Sequence, residues 1–456
     1  MLKLKSNLMG GVGSSGIVTY YTDLEIQPGR GIGFKSVGGL PRLWTIKESA
    51  FSGRPAFRIL QRMLLSKAAE VHYRDHLSTF SATRESGPYA IPREDNDFPV
   101  EWNHMASLKE FLKPLAEDGT ALTREQAAQV LTEILSGNVP DVEIAALLAV
   151  LATRGEQAPE LAGFVEVMRQ RALPVPLTAE ERAELVDVVG TGGGGPLTFN
   201  ISSGAALVAA ADGAKVAKHG NRAITSRCGA ADVLEALGVP IELSPELAAE
   251  CLRATGFMFL FAPLYHPAMK ALGSLRRALG FRTIFNLCGP LTNPAGARNQ
   301  VIGVLAPSRV LLVGRTLAAL GAKRAFVVHG TDGIDELTTT GESVVARIEE
   351  SESGPPTLKA ARITPEMAGL PRTTLDQFTG GDVELNTSLL YDVLTGIPGP
   401  RRDIVLLNAA AALVAAGLAE DLKQGVAQGA EAIDSGQAAA TLAKLRQFGK
   451  AHTSIQ

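Results

Sequence analysis

Asp187–Asn221 reads DVVGTGGGGPLTFNISSGAALVAAADGAKVAKHGN. A short apolar strand, Leu185 to Val189, leads into a glycine loop made of Gly190, Gly192, Gly193, Gly194 and Gly195. A polar turn with Thr198, Asn200 and Ser202 follows, then a small-residue helix and a second strand ending in Lys218-His219-Gly220-Asn221-Arg222. Consecutive glycines let backbone N–H groups turn toward one anion with no Cβ in the way, and the hydroxyls and the lysine add donors. The stretch reads as a site for a ligand carrying several phosphate groups.

Gly190, Gly192 and Gly195 also satisfy GxGxxG after a strand, with Asp212 near the distance of a ribose-binding acid, so a dinucleotide site competes. Pro196 and the hydroxyl-rich Thr198–Ser203 stretch delay the helix, whereas that fingerprint packs its last glycine inside the helix. A Walker loop needs Lys and Ser or Thr directly after Gly195, where Pro196 and Leu197 stand. A purely structural turn is disfavoured because five glycines across positions 190–195 lose much chain entropy on folding.

Outward from this stretch, 456 residues with 46 % apolar side chains are enough for a large core and more than one domain. A net charge of −3 gives no reason to expect nucleic acid or membrane binding. Cys228, Cys251 and Cys288 are scattered without metal-ligand spacing and suit reduced thiols in a cytoplasmic protein. The most apolar run, Ile404 to Ala419, contains Asn408 and is too short for a membrane span, and the N-terminus lacks the apolar core of a signal peptide. Residues 1–104 are poorly periodic apart from a helical pattern near Ala56 to Val71; they read as a poorly ordered extension or a start placed too early. Thr123 and Gln126 predict a capping box ahead of a helix that stops at Gly137. Further helices are expected from Asp141 to Thr153 and around Leu161, Phe164, Val165 and Met168. Short apolar runs at Leu185–Val189, Lys215–Ala217, Phe257–Phe261, Val301–Leu305 and Ala325–Val328 alternate with helices, predicting an α/β fold with a mainly parallel sheet. Ligands in such sheets bind at the carboxyl ends of the strands, and Gly190, Lys218 and His329 are each expected just beyond one.

KHGNRAITSRCGAADVLEALGV (Lys218–Val239), FAPLYHPAMK (Phe261–Lys270), LRRALGFRTIFNLCGPLTNPA (Leu275–Ala295) and HGTDGIDEL (His329–Leu337) follow the glycine loop in order. With these blocks the chain resembles the anthranilate phosphoribosyltransferases over roughly Leu108 to the C-terminus. The resemblance implies a nucleoside-phosphorylase-like fold: a dimer-forming helical domain at 105–177, with Met105 just ahead of its first helix, and an α/β domain at 178–456. It implies transfer of the phosphoribosyl group of 5-phosphoribosyl 1-pyrophosphate to the amine of anthranilate, with Mg²⁺, in tryptophan biosynthesis. By resemblance, the pyrophosphate substrate is bound by Gly190, Gly193, Gly194, Thr198, Asn200, Ile201, Ser202, Ser203 and Ala230, together with Lys218, His219, Gly220, Asn221, Arg222, Ala223, Ile224, Thr225 and Ser226. Anthranilate would meet Gly190, Asn221, Arg276 and Pro290, with Arg276 reading its carboxylate. Ser202, Asp335 and Glu336 would hold the metal, whose preference for hard oxygen ligands they suit, and no general base is assigned. Lys218, Asn221 and Arg276 would position the substrates and stabilise charge. The expected partners are these two small molecules and a second copy of the chain. A different aromatic acceptor, or a pyrimidine nucleoside phosphorylase activity, is the alternative.

Two positions depart from the family pattern: Gly194 stands where Asp is usual, and Ala230 where many members carry Ser. Gly194→Asp is expected to change the Mg²⁺ dependence of the rate while leaving the KM for anthranilate nearly unaltered, because an added carboxylate repels phosphate oxygens unless a cation lies between. Gly194→Ala is the control. Equal losses in both variants with superimposable Mg²⁺ titrations would mean that only the glycine backbone matters.

Overall fold

The computed structural model describes residues 9–12, 18–21, 107–192, 197–223, 227–351, 354 and 356–453. Two compact units divide at Glu101 and Trp102. The first is described through one antiparallel hairpin, β1 (Met9–Val12) against β2 (Val18–Tyr21). The helix expected near Ala56 to Val71 lies outside the described residues, as do Gly193, Gly194, Ile224, Thr225 and Ser226.

The second unit opens with α1 (Lys109–Glu117), α2 (Arg124–Ser136), α3 (Asp141–Arg154) and α4 (Ala158–Gln170). The capping box forms as the spacing predicts: Gln126 N donates to Thr123 Oγ1 at 3.2 Å and Thr123 N to Gln126 Oε1 at 2.9 Å. Gly137, at φ 80°, ends the helix. Periodicity did not mark Glu160, fully buried on α4, which accepts the N–H groups of Leu122 (3.0 Å) and Gln157 (2.8 Å) and pairs with Arg154.

After α5 (Ala179–Glu184), strands and helices alternate: β3 (Leu185–Gly190), α6 (Ile201–Ala211), β4 (Lys215–Gly220), α7 (Ala230–Ala236), α8 (Pro245–Thr255) and β5 (Phe257–Phe261). Then come α9 (Ala262–Tyr265), α10 (Gly273–Leu279), α11 (Phe285–Leu291), β6 (Asn299–Gly303), α12 (Pro307–Ala319) and β7 (Arg324–Gly330). The chain closes with β8 (Ser343–Glu349), β9 (Thr357–Ile363), α13 (Val383–Leu394), α14 (Pro400–Ala416), α15 (Leu422–Asp434) and α16 (Gln437–Thr453). The sheet order is β5-β4-β3-β6-β7-β8-β9. Its first five strands are parallel, as expected; β8 and β9 add an antiparallel edge that the sequence reading did not separate from the helical segments. Gly190, Lys218 and His329 stand inside the ends of β3, β4 and β7, not beyond them, because the backbone ladders run on past the apolar cores of those strands.

One face of the sheet packs on α6 and α14. The other shares a continuous core with the bundle, in which Leu147, Leu161 and Phe164 join Phe285, Ile302, Val304 and Val327. Among the described residues no helix is long and apolar enough to cross a membrane.

The loop after β7 lies across the ends of β3 and β6. A Cβ on Gly303 would stand 1.6 Å from the Asp335 carbonyl oxygen, and one on Gly190 2.5 Å from Asp335 Oδ2. Within the loop, Asp332 Oδ2 accepts from Thr338 Oγ1 at 2.6 Å and Thr340 Oγ1 at 2.7 Å. Asn408, buried on α14, holds the backbone beyond Glu336 from both sides, accepting from Leu337 N at 3.0 Å and donating to Leu337 O at 2.9 Å. The polar residue that interrupts the apolar run of α14 is thus a backbone clamp. Gly303→Ala is expected to lower stability by about 3 kcal/mol or more, since backbone and not a flexible side chain must move. A melting temperature equal to that of the unaltered protein would show that the loop is not pressed on the strand end.

Candidate active site

Lys218 is 1 % exposed at the end of β4, an expensive place for an ammonium. Its Nζ donates to Val188 O at 2.5 Å and to Ser202 Oγ at 3.3 Å. Burial lowers its pKa, and the charges of Asp187 and Glu336 pull it back up. Asp187 is fully buried on β3, and its pKa is pushed up to about 6 by burial against the opposing hydrogen bond of Asn293 and the charge of Lys218. Its Oδ2 accepts from Asn293 Nδ2 at 2.8 Å and its Oδ1 from His219 N at 3.2 Å; Asn293 also donates to Ala217 O at 2.7 Å. Neither Asp187 nor Asn293 was singled out from the sequence, although both lie inside the quoted blocks; a polar residue in an apolar strand was the available signal.

Asp335 and Glu336 are half-buried beside these groups. Gly192, at φ 57°, donates its N–H to Asp335 Oδ2 at 3.1 Å. Burial raises the pKa of Asp335. Burial first, then the charge of Asp335, push Glu336 up to about 8, against Lys218 and a hydrogen bond from the backbone of Ser202. Two neighbouring carboxyl groups, each held above its usual pKa by burial, form a donor set that a hard divalent cation suits, since the cation would stabilise both as carboxylates. Among the described residues no cluster of three or more His, Cys, Asp or Glu side chains could hold a metal, so hydroxyl, water or substrate oxygens would have to complete the shell.

His219 is 4 % exposed and its pKa is depressed to about 3 by burial, then by the neighbouring His266. Its Nδ1 donates to Gly289 O at 3.2 Å, which leaves Nε2 as a buried acceptor with no partner among the described residues. The His266 ring lies 5.1 Å away, with its own pKa brought down to about 4 by burial. The bond to Gly289 brings α11, and with it buried Pro290, against the end of β4. Arg276 on α10 stacks over Phe285 of α11 at 5.5 Å, half-buried, its pKa lowered by burial. No carboxylate of the described residues pairs with it, so its charge is available to an incoming anion.

The polar turn is held from the other side. Thr198 bridges Thr379, and Asn200 precedes the first turn of α6 without capping it. Ile201 and Ser203 are buried, so their side chains face the core, and Ser203 Oγ has no partner among the described residues. Gly220 is needed for packing, since a Cβ would meet the Phe259 ring at 2.9 Å. The Arg222 guanidinium is engaged elsewhere: Nη1 and Nη2 reach the two Glu235 oxygens at 2.7 and 3.0 Å, and Nη1 reaches Asp232 at 3.2 Å. Asp232 also accepts the N–H groups of Ala223 and Gly229, each at 2.9 Å, closing the loop between Asn221 and Ala230. The exposed Asn221 keeps its Oδ1 on Arg222 N at 2.8 Å. Gly190, Lys218, Ser202, Asp335 and Glu336 therefore share one corner, with Asn200 just ahead of α6, Asn221 just beyond β4 and Pro290 on α11 beside it; Arg276 stands farther off, over Phe285 of α11.

Residues 109–172 match the helical bundle domain of a glycosyl transferase family, and residues 182–439 match its a/b domain. The chain is 47 % identical over 341 residues to the anthranilate phosphoribosyltransferase of Rhodopseudomonas palustris, covering 75 % of this chain and 98 % of that protein. The chain belongs to the anthranilate phosphoribosyltransferase family. The relative from Brevibacillus brevis is 48 % identical over 74 % of this chain and 97 % of its own length. The crystal structure of the anthranilate phosphoribosyltransferase from Thermus thermophilus superposes with TM-score 0.68 at 44 % identity, over 74 % of this chain and 99 % of that one. The enzyme from Saccharomyces cerevisiae in complex with PRPP and Mg does so with TM-score 0.67 at 26 % identity, over 75 % of this chain and 98 % of that one. Membership makes the chain a glycosyltransferase-class enzyme of tryptophan biosynthesis that transfers a phosphoribosyl group to anthranilate.

The neutral histidine pair predicts a signature in acid. A histidine whose folded pKa lies below its unfolded value of about 6.5 leaves the unfolded chain binding more protons, so stability is lost as pH falls through 6.5 toward the folded value. His266→Gln is expected to cut the loss of unfolding free energy between pH 7 and pH 5 by about 1 to 2 kcal/mol. Denaturant titrations at the two pH values check this; parallel losses in variant and parent would show that His266 is not held neutral.

Proposed function

We propose that the corner between the ends of β3, β4, β6 and β7 binds the 5-phosphoribosyl 1-pyrophosphate, and that Arg276 and Pro290 bracket anthranilate. The observation that carries this reading is the Lys218 ammonium, buried between Val188 O and Ser202 Oγ and facing the charges of Asp187 and Glu336. A cation kept at such cost of desolvation suits a polyanionic ligand. In the reaction the C1–O bond to pyrophosphate breaks, its electrons staying on the leaving group, and the anthranilate nitrogen forms the C1–N bond and gives up a proton. Aromatic amines are weak nucleophiles, so C1 develops oxocarbenium character and holding the departing pyrophosphate matters most. Lys218 and the N–H groups of the glycine loop meet those oxygens; Gly193, Gly194, Ile224, Thr225 and Ser226 belong to the same proposal. Arg222 contributes through its backbone, its guanidinium being held by Glu235 and Asp232.

Ser202, Asp335 and Glu336 would hold Mg²⁺, which supplies positive charge to the pyrophosphate oxygens when bound. His219 and His266 stay neutral near pH 7, and no general base is assigned. The family resemblance also supports a homodimer through the helical bundle, where Val142 of α3 is 74 % exposed, and a cytoplasmic location.

The purified protein with Mg²⁺ is expected to consume anthranilate, read by its fluorescence, only when 5-phosphoribosyl 1-pyrophosphate is present. Phosphorolysis of uridine or thymidine without anthranilate turnover would overturn the reading. In the same assay Arg276→Ala should raise the KM for anthranilate about ten- to a hundredfold, the worth of a charge-assisted contact, and that for the pyrophosphate substrate far less. Equal rises in both would mean that the arginine shapes the cleft and does not read the carboxylate.

A further inference from the structure

We propose that Asn386 of α13 is a positioning residue that fixes which end of the Asn200 amide faces the phosphoribosyl substrate; this rests on the reading of Asn200 as a contact of that substrate. The oxygen and nitrogen of an amide have the same shape, so partners decide its orientation. Here the deciding partner is a backbone N–H, which can only donate. Gly381 N donates to Asn386 Oδ1 at 2.7 Å. Asn386 is 2 % exposed, so its Nδ2 points the other way and donates to Asn200 Oδ1 at 2.9 Å. Asn200 is thereby made to turn its oxygen toward α13 and its Nδ2 toward Cys228 O, 3.4 Å away. That long contact takes one Nδ2 proton and leaves the second for a ligand. A flipped Asn200 would set two NH₂ groups against each other and offer a carbonyl oxygen to a polyanion.

The surrounding backbone holds the relay in place. Phe199 N donates to Phe378 O at 3.0 Å and Gly380 N to Leu197 O at 3.0 Å, tying the polar turn to the segment ahead of α13. A Cβ on Gly380 would stand 2.6 Å from Phe199 N and 2.7 Å from Asn386 Oδ1, so glycine is what lets the two segments close. Asp382 caps α13 by accepting from Leu385 N at 2.9 Å, which fixes the turn that presents Gly381 N. Asn200 does not cap its own helix, the usual use of an asparagine at that position, because its oxygen is held by Asn386.

A double-mutant cycle read by steady-state kinetics tests the relay. Asn386→Asp keeps the acceptor for Gly381 N and loses the donor to Asn200; Asn386→Ala loses both without adding charge. Each is expected to raise the KM for 5-phosphoribosyl 1-pyrophosphate about tenfold and to move that for anthranilate less than about twofold. In the Asn200→Ala background the same substitutions should add less than about twofold, because the group they orient is gone. Repulsion by the added charge, or a general loosening of the fold, would persist in that background, and equal factors in both backgrounds would overturn the proposal. So would an unchanged KM in both Asn386 variants while Asn200→Ala alone raises it. If Asn200→Ala leaves the KM unaltered, the reading of Asn200 as a substrate contact fails, and the relay has nothing to orient.

Discussion

The buried ammonium of Lys218 is the interaction on which the site depends. It ties together three pieces of chain: the Val188 carbonyl on β3, the Ser202 hydroxyl at the start of α6, and the charge of Glu336 beyond β7. Removing an ammonium from water costs several kcal/mol, and that cost is offset only where hydrogen bonds and opposite charge surround it. Asp187 serves both needs at once, since it faces Lys218 electrostatically and fixes the backbone of His219, the next residue on the same strand. The cation cannot shift without disturbing the strand that carries it.

Close backbone approach is the second constraint. The acid-pair loop reaches the strand ends only because Gly190 and Gly303 have no Cβ, and it keeps its course through Asp332 inside and Asn408 outside. Glycine in this protein therefore has two separate uses. At Gly192, after β3, it takes a positive φ that aims its N–H at Asp335; at Gly303 and Gly380 it removes an atom so that another segment can pass.

The polar turn shows why a residue's chemistry is not settled by its type. Asn200 and Arg222 were both read as contacts for one polyanion. Asn200 has a donor left after its internal bonds, whereas the Arg222 guanidinium is held by Glu235 and Asp232. Each outcome follows from a partner far along the chain or one helix away.

The sequence by itself determined the class of fold, the five parallel strands, the capping box at Thr123 and the family to which the five motif blocks belong, because periodicity, turn chemistry and spaced motifs are local properties. It also marked the side chains proposed to carry the chemistry: one lysine, one acid pair and Arg276 stand in fixed neighbourhoods of glycine and polar residues. Only the tertiary structure decided how those side chains are held. The antiparallel edge of β8 and β9 was missed because Ser343–Glu349 and Thr357–Ile363 mix charged and apolar residues without the buried run of a central strand. The roles of Asp187, Asn293, Asn386 and Asn408 were missed for a related reason. A buried polar residue has meaning only through its hydrogen-bond partners, and for each of these residues at least one partner lies tens of residues or more away in the chain.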